Sequence, residues 1–322
     1  MNKNIVIKLR ALYSKMVGNS IIPPPPRDMN KEHIQNLIYN RIIEGKPFMF
    51  ARLGRLEGDV CENVRNTFHK KKSNLDFIRW RGQPNFLNPY LIPLFGMNAG
   101  FFPAEDVTAL EKYYQLMLKC MNEVDILASC CNNEYSFQEE LKRATKVDHE
   151  LATPLLTDKP WTLALEGRKI LVVHPFAETI KHQYAQIDKV YPNCIVLPKF
   201  ELLTIKAIQT SAGGTSSFKD WFDALSFMEK EIDKFEYDVC LLGCGAYGFP
   251  LAAHCKQMGK QALQLGGITQ LLFGIKGKRW ETGDKYTKEY PYAKTYYNEN
   301  WVRPSGMEIP SKASKVEDSC YW

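Results

Sequence analysis

Short hydrophobic runs alternate with segments of helical periodicity through most of the second half of the chain. The runs lie at residues 168–176, 193–200, 237–243 and 260–267, and each predicts a buried strand. The segments between them, such as residues 178–190, repeat apolar residues every three or four positions, as one face of a helix does. This alternation predicts an α/β fold with a doubly wound, mainly parallel sheet and helices on both of its faces.

The first half of the chain contains the same two kinds of segment in a less regular order. Helices are predicted over residues 29–45 and 104–124, and strands over residues 46–54 and 124–130. A further helix is expected in the second half after Ser217, whose hydroxyl is a candidate N-cap. The pattern therefore extends the α/β interpretation to both halves of the chain.

Two end segments flank the predicted domain, which covers residues 28–303. Residues 1–27 combine a short basic helix with a stiff proline-rich spacer, and residues 304–322 are expected to form a flexible, irregular tail. The helix has two open interpretations: it rests on an anionic membrane surface, or it packs on its own domain or frays. Its apolar positions are Ile5, Leu9, Leu12 and Met16, with Lys3, Lys8, Arg10 and Lys15 around them.

Composition and charge narrow the classes of partner. The 322-residue chain has a formal net charge of +6, a mild excess that suits phosphates, nucleotides or acidic lipid headgroups. No zinc-finger spacing, aromatic RNA-binding motif or long basic block indicates nucleic acid. The nine cysteines are scattered without paired zinc-ligand spacing, which favours a reducing, cytoplasmic location. No apolar stretch approaches the roughly twenty residues that span a bilayer.

A glycine-rich turn follows the strand predicted at residues 237–243. Backbone amides between a strand and a helix can approach an anion, so a phosphate ligand is one interpretation, and tight strand-to-helix packing is the other. A dinucleotide-binding enzyme would carry an acidic residue about twenty positions further on, where Gln264 is the only polar candidate. The lack of an acidic residue there also disfavours binding of S-adenosylmethionine. No Walker A sequence occurs in the chain. The candidate residues of the turn are Gly243, Gly245, Tyr247 and Gly248.

Two further polar clusters are expected at the same edge of the sheet. His174 ends its strand, and Thr179 follows near the start of the next helix. The His174 imidazole suits phosphate binding or proton transfer. The alternative is a structural histidine that is hydrogen-bonded to a neighbouring loop. The other cluster is a basic loop with an aromatic side chain. Its cations suit binding of a diphosphate, and the aromatic side chain suits stacking on a ring of the ligand; the alternative is that the loop is simply exposed. Its candidate residues are Gly267, Gln270, Lys276, Lys278 and Arg279.

A fourth cluster follows the first strand of the domain. Arg52 and Glu57 flank a turn that contains Gly54 and Arg55. A carboxylate at Glu57 suits either a metal ion or the acceptance of a proton from a substrate hydroxyl. The alternative is a plain ion pair between Arg52 and Glu57.

These clusters together resemble the bacterial glycosyltransferases of the GT-D fold, which occur in polysaccharide and glycoprotein assembly loci. That family has a strand and then an Arg-x-Gly-Asp-x-Glu turn, whose Asp-x-Glu pair takes part in metal and nucleotide-sugar binding. Here Arg52, Gly54 and Glu57 match the turn and Arg55 replaces the aspartate, and the likeness spans residues 30–303. A cation beside Glu57 makes Mn²⁺ or Mg²⁺ less favourable there.

The resemblance implies transfer of a sugar from a nucleoside diphosphate sugar to a glycan or lipid-linked acceptor. It also implies a cytoplasmic enzyme, peripheral at the inner face of the plasma membrane, with Glu57 as the first candidate for a catalytic base and His174 as the second. Two other functions stay open: an S-adenosylmethionine-dependent methyltransferase, and a non-catalytic scaffold of a polysaccharide assembly complex. The residues implied for nucleotide-sugar binding are Arg52, Gly54, Arg55, Thr179, Gly243, Gly245, Tyr247, Gly248, Gly267, Gln270, Lys276, Lys278 and Arg279.

Overall fold

Seven parallel strands form a single sheet in the described part of the chain. The structure, a computed structural model, describes residues 2–19, 22–70, 73–192, 196–214, 216–282, 291–304, 306–315 and 321–322. The sheet order is β3-β2-β1-β7-β6-β4-β5. The strands are β1 Phe48–Ala51, β2 Ile126–Ser129, β3 Thr145–Asp148, β4 Lys169–His174, β5 Glu201–Lys206, β6 Val239–Leu242 and β7 Gln261–Gln264.

Helices connect the strands and cover the sheet. A π-helical turn extends α3, and another extends α5, at Arg65–His69 and Phe95–Ala99. The α-helices of the described residues are α1 Lys3–Val17, α2 Lys31–Ile43, α3 Arg55–Val64, α4 Leu75–Ile78, α5 Leu91–Leu94, α6 Val107–Met121, α7 Ala177–Tyr184, α8 Ile187–Val190, α9 Trp221–Ile232, α10 Gly248–Gln257, α11 Ile268–Leu272, α12 Lys278–Thr282 and α13 Pro291–Tyr296.

The sheet is buried on both faces. Met49 of β1 belongs to a core that includes side chains of α3, α6, α9 and α10, whereas Phe50 belongs to a second core with α2, α7 and α11. Because successive side chains of a strand point to opposite faces, strands covered on both faces are continuous apolar runs in sequence. The predicted doubly wound α/β fold is confirmed by this arrangement and by the parallel register of all neighbouring strands.

The strand predicted at residues 193–200 is wrong in position. Val196 and Leu197 are buried, but they lie outside the sheet, and β5 begins only at Glu201; residues 193–195 are outside the described ranges. Pro198 lacks the backbone N–H that a central ladder needs. β5 itself is an edge strand with mostly half-exposed side chains, and its three apolar residues are interrupted by Thr204 and flanked by Glu201 and Lys206.

Three smaller differences concern edges and element ends. β3 is not predicted by the sequence pattern, because it is a four-residue edge strand that begins with exposed and half-exposed side chains. Asp220, not Ser217, caps α9: its carboxylate accepts hydrogen bonds from the backbone N–H groups of Phe222 and Asp223, both at 2.9 Å. The helix predicted over residues 178–190 is divided into α7 and α8.

The four polar clusters of the sequence converge on one edge of the sheet. β1, β7, β6 and β4 are consecutive neighbours, and they end at Ala51, Gln264, Leu242 and His174 respectively. Parallel strands end on the same side, which is where ligands bind in open α/β sheets. The turn after β1, the loop after β7, the glycine turn after β6 and the end of β4 therefore lie side by side.

Candidate functional site

Arg52 and Glu57 are brought together by the sharp passage from β1 into α3. Gly54 is the N-cap of α3, and the Glu57 side chain folds back over it so closely that a Cβ on Gly54 would overlap the carboxylate. Any larger residue at position 54 would displace the carboxylate from its position. The backbone N–H of Arg52 donates to Oε1 of Gln264 at 2.7 Å, which ties the turn to the end of β7.

Burial dominates the electrostatics of this pair. Burial raises the pKa of the Glu57 carboxyl, although the residue's own backbone N–H and the Arg52 guanidinium act to lower it. For Arg52, burial lowers the pKa, but the neighbouring Cys130 thiol and other acidic groups raise it above its ordinary value. Arg52 is therefore a permanent, half-buried cation beside a carboxylate that binds a proton more readily than an exposed one.

Arg52, Glu57 and the glycine turn line one small cavity. Its free volume for the centre of a water molecule is about 10 Å³, which is room for about one water. The Nε atom of Arg52 is buried and finds no hydrogen-bond acceptor among the described residues. A buried donor without an acceptor is costly, so this cavity is suited to hold an acceptor oxygen. The lining residues are Arg52, Gly54, Glu57, Met117, Gly245, Ala246, Phe249 and Gln264.

The residues of the glycine turn have different roles. Gly245, whose φ is +58°, lines the cavity beside Glu57. Gly243 instead serves close packing, because a Cβ there would lie 2.6 Å from the His174 ring and 2.7 Å from the Thr269 hydroxyl. A Cβ on Gly248 would lie 3.0 Å from the Gln264 side chain. Tyr247 is buried, with its ring stacked 4.9 Å from that of Trp221, and does not line the cavity.

His174 is a buried neutral imidazole under the glycine turn. Only 3% of it is exposed, and its Nδ1 accepts a hydrogen bond from the backbone N–H of Phe176 at 3.0 Å. Because Nδ1 is the acceptor, the proton of the neutral ring lies on Nε2. Burial lowers the pKa of His174 to about 3. This low basicity favours Glu57 over His174 as the proton acceptor of the site.

The buried histidine makes a testable contribution to the pH dependence of stability. In the unfolded chain His174 takes up a proton below its ordinary pKa of 6.5, whereas in the folded protein it stays neutral down to about 3. The free energy of unfolding is therefore expected to fall by about 2 kcal/mol between pH 7 and pH 5 through this residue alone. We expect His174→Asn, which keeps an acceptor near the position of Nδ1, to remove that part of the loss. Urea unfolding of both proteins at the two pH values measures the difference; equal losses would contradict it.

The basic loop reaches the site through Tyr321. Arg279 lies 5.1 Å from the centre of the Tyr321 ring, and its Nη1 donates to the Tyr321 hydroxyl at 3.2 Å. Tyr321 also interacts electrostatically with Arg52 and contributes to that residue's raised pKa. The ring packs closely on Gly267, where a Cβ would lie 3.0 Å from it. A tyrosine from the segment predicted to be a flexible tail thus contacts Arg279 and interacts electrostatically with Arg52.

Other predicted residues are used to hold this loop and its neighbours in place. Gln270 is buried and donates to the carbonyl oxygens of Ile275, Lys276 and Tyr321. The Lys276 ammonium lies 5.6 Å from the ring of Tyr297, away from the cavity lining. Lys278 begins α12, which the next residue, Arg279, continues.

Thr179 and Arg55 also lie outside the cavity lining. The backbone N–H and the hydroxyl of Thr179 both donate to the carboxylate of Glu308, another residue of the predicted tail. Arg55 is exposed at the first position of α3, where its carbonyl accepts from Asn133 at 2.9 Å. Neither side chain therefore has a contact in this structure that assigns it to ligand binding.

The described residues at this edge do not supply a set of ligands for a divalent metal ion. Glu57 is the one carboxylate among the described residues that line the cavity, and Arg52 lies beside it. Asp59, two residues further along α3, is occupied by a hydrogen bond from Asn133 at 3.1 Å, and burial raises its pKa to about 6. The described residues hold no group of three His, Cys, Asp or Glu that could bind a metal ion. Hard cations require several oxygen ligands, which this set lacks.

Sequence reasoning missed the contributions of Tyr321 and the Cys130–Cys131 pair. The two sulfur atoms lie 3.3 Å apart at the end of β2, and Cys130 interacts electrostatically with Arg52. Adjacent cysteines were visible in the sequence, but their distance from Arg52 depends on the pairing of β1 with β2. Gln264 was visible as a polar strand end, and its hydrogen bond to the Arg52 backbone was not.

A larger open groove of about 750 Å³ lies elsewhere, between α2, residues 155–159 and the end of α13. It contains none of the residues predicted to bind or react. Its volume suits a ligand, whereas four of the predicted residues, Arg52, Gly54, Glu57 and Gly245, line the smaller cavity.

Comparison of this chain with protein-family models, with curated proteins and with solved structures gave no match.

Proposed function

We propose that this protein is a glycosyltransferase that moves a sugar from a nucleoside diphosphate sugar to a glycan or lipid-linked acceptor in surface polysaccharide assembly. The supporting observation is the shared cavity of Arg52, Glu57 and Gly245 at the carboxyl edge of the sheet. A half-buried carboxylate beside a half-buried cation suits a reaction in which a hydroxyl loses a proton while an anion departs.

In this proposal Glu57 is the base. The proton of the acceptor hydroxyl passes to the Glu57 carboxylate, and the acceptor oxygen forms a bond to the anomeric carbon of the sugar. The bond from that carbon to the diphosphate oxygen breaks, and its electron pair leaves with the nucleoside diphosphate. The raised pKa of Glu57 makes its carboxylate a better proton acceptor than an exposed one.

The leaving diphosphate is assigned to the two arginines. Arg52 offers its buried Nε–H, which lacks an acceptor among the described residues, and Arg279 extends the positive charge beyond Tyr321. The cavity is far too small for a whole nucleotide, and a single oxygen atom beside Glu57 and Arg52 is what it would hold. The nucleotide would lie along the loop after β7, beside Gly267 and where the Tyr321 ring now lies. The proposal places the enzyme in the cytoplasm, peripheral at the inner face of the plasma membrane.

Binding of a nucleoside diphosphate is the first expected result. At a free concentration of 100 times Kd, UDP, GDP, ADP or CDP should stabilise the protein by about 2.7 kcal/mol, which raises Tm by several degrees. A thermal-shift panel with the four diphosphates measures this. Because the residues do not fit a divalent ion, we expect the same shift with EDTA and with Mn²⁺.

Two controls separate this result from other functions. S-adenosylmethionine should give no shift and no heat on titration, whereas a methyltransferase would bind it. Arg52→Gln should reduce the diphosphate shift if the arginine contacts the phosphates. A flat panel, together with the absence of sugar transfer from any tested donor, would leave the scaffold function as the better description.

A further inference from the structure

Helix α1 presents an apolar stripe to solvent. Ile5, Leu9, Leu12 and Met16 recur at spacings of four, three and four along this 15-residue helix, so they share one side of it. Their exposed fractions are 51%, 38%, 53% and 75%. The apolar stripe of a surface helix normally faces the core. Here it faces water over about three turns, and that reversal requires an explanation.

Different residues attach α1 to the domain. Val6 is fully buried, and Arg10 lies with its guanidinium 4.0 Å from the ring centre of Phe77 and 3.7 Å from that of Trp80. The Nη1 of Arg10 also donates to the carbonyl oxygen of Phe77 at 2.9 Å. Val6 and Arg10 are one turn apart, on the side away from the stripe. α1 therefore packs on its own domain, and this packing holds the stripe outward.

The charges of α1 are all of one sign. The helix contains Lys3, Lys8, Arg10 and Lys15 and no acidic residue. Lys8 and Lys15 are seven residues apart and exposed, and they border one edge of the stripe. Apolar side chains that enter the boundary between headgroups and acyl chains, flanked by lysines at the level of lipid phosphates, are typical of interfacial helices. None of the helices in the described ranges has the length and hydropathy to cross a bilayer.

We propose that α1 docks the protein on the surface of an anionic phospholipid bilayer through the stripe of Ile5, Leu9, Leu12 and Met16. The helix is also close to the candidate site. Arg10 interacts electrostatically with Asp59, two residues beyond Glu57 on α3. Docking would bring that end of α3 near the membrane, where a lipid-linked acceptor would be located. This last step rests on the proposed function, whereas the docking itself does not.

Cosedimentation of the full chain with vesicles tests the docking. One vesicle preparation is phosphatidylcholine alone, and the other contains phosphatidylglycerol as one third of its lipid. We expect binding to the anionic vesicles to be at least about tenfold stronger, and to weaken in high salt. Leu9→Gln/Leu12→Gln and Lys8→Glu/Lys15→Glu should each reduce it about tenfold or more.

A matched control removes exposed apolar side chains from other surfaces. Ile43→Gln/Met258→Gln changes residues that are 50% and 56% exposed on α2 and after α10, and should bind as the wild type does. Unchanged thermal unfolding establishes that each variant is folded.

Three outcomes would overturn the docking proposal. The first is equal binding to both kinds of vesicle, and the second is wild-type binding by Leu9→Gln/Leu12→Gln. The third is a concentration-dependent dimer that this variant abolishes, without vesicle binding, which would assign the stripe to a second copy of the chain. No sugar donor or nucleotide is present in the assay, so its result is independent of whether the protein transfers sugars.

Discussion

Glu57→Gln is expected to reduce sugar transfer by about 10²- to 10⁴-fold, because it replaces the proposed base by an amide of the same shape that cannot take a proton. Stability should not suffer. Burial raises the pKa of Glu57, so the ionised carboxylate is unfavourable in the folded protein and a neutral side chain removes that cost. Steady-state transfer rates, with thermal unfolding and diphosphate binding measured in parallel, separate a chemical defect from a folding or binding defect.

Asp59→Asn is the matched control for this prediction. It makes the same carboxyl-to-amide change two residues away on α3, at a second buried group, but outside the cavity lining. We expect its transfer rate to stay within a few-fold of the wild type. The wild-type rate should rise with pH as Glu57 ionises, and this rise should disappear in Glu57→Gln. A Glu57→Gln enzyme with more than about a tenth of wild-type activity would show that another group accepts the proton.

Gly243→Ala is expected to reduce the free energy of unfolding by about 3 kcal/mol, because the added methyl group has no space. It would lie 2.6 Å from Cδ2 of His174 and 2.8 Å from Cβ of Thr269. Both neighbours are buried, at 3% and 0% exposed, so neither can move away without displacing others. Urea unfolding at neutral pH measures the loss.

Gly259→Ala separates overlap from backbone strain. Gly259 has a φ of +81° and no atom within 4 Å of the added methyl group, so its substitution carries only the cost of a left-handed backbone, about 1 kcal/mol. Equal losses for the two variants would mean that the His174 side relaxes freely. In that case Gly243 would be available to approach a ligand, as its place in a glycine-rich turn first suggests.

The success of the strand predictions follows burial. β4, β6 and β7 are in the middle of the sheet and buried on both faces, so each is visible as an apolar run. β3 and β5 are edge strands with exposed positions, and neither forms a continuous apolar run. Val196 and Leu197 are the reverse case, because their side chains are buried although their backbone is not part of a strand. An apolar run indicates that side chains are buried, and it indicates a strand only where the buried residues also belong to the sheet, as in the central strands.

In the candidate site, the features formed by residues close in sequence are predictable, and those formed by residues far apart in sequence are not. The Arg52–Glu57 turn is predictable because Gly54, the start of α3 and the carboxylate are within six residues of one another. Gln264 and Tyr321 are more than 200 residues away from Arg52 in sequence. The hydrogen bond of Gln264 to Arg52 depends on the pairing of β7 with β1, and the electrostatic interaction of Tyr321 with Arg52 depends on the course of the chain after β7.

The amino-acid sequence by itself determined the α/β class, the central strands and the edge at which polar clusters meet. The periodicity of each segment is set by its own residues, and parallel strands all end at the same edge of the sheet. The tertiary structure alone decided which glycine lines a cavity and which one only allows close packing. It also decided that His174 is neutral, that Tyr321 contacts Arg279 and that the apolar stripe of α1 faces water. Each of these depends on contacts between residues far apart in the chain, and no pattern in one segment specifies its partner in another.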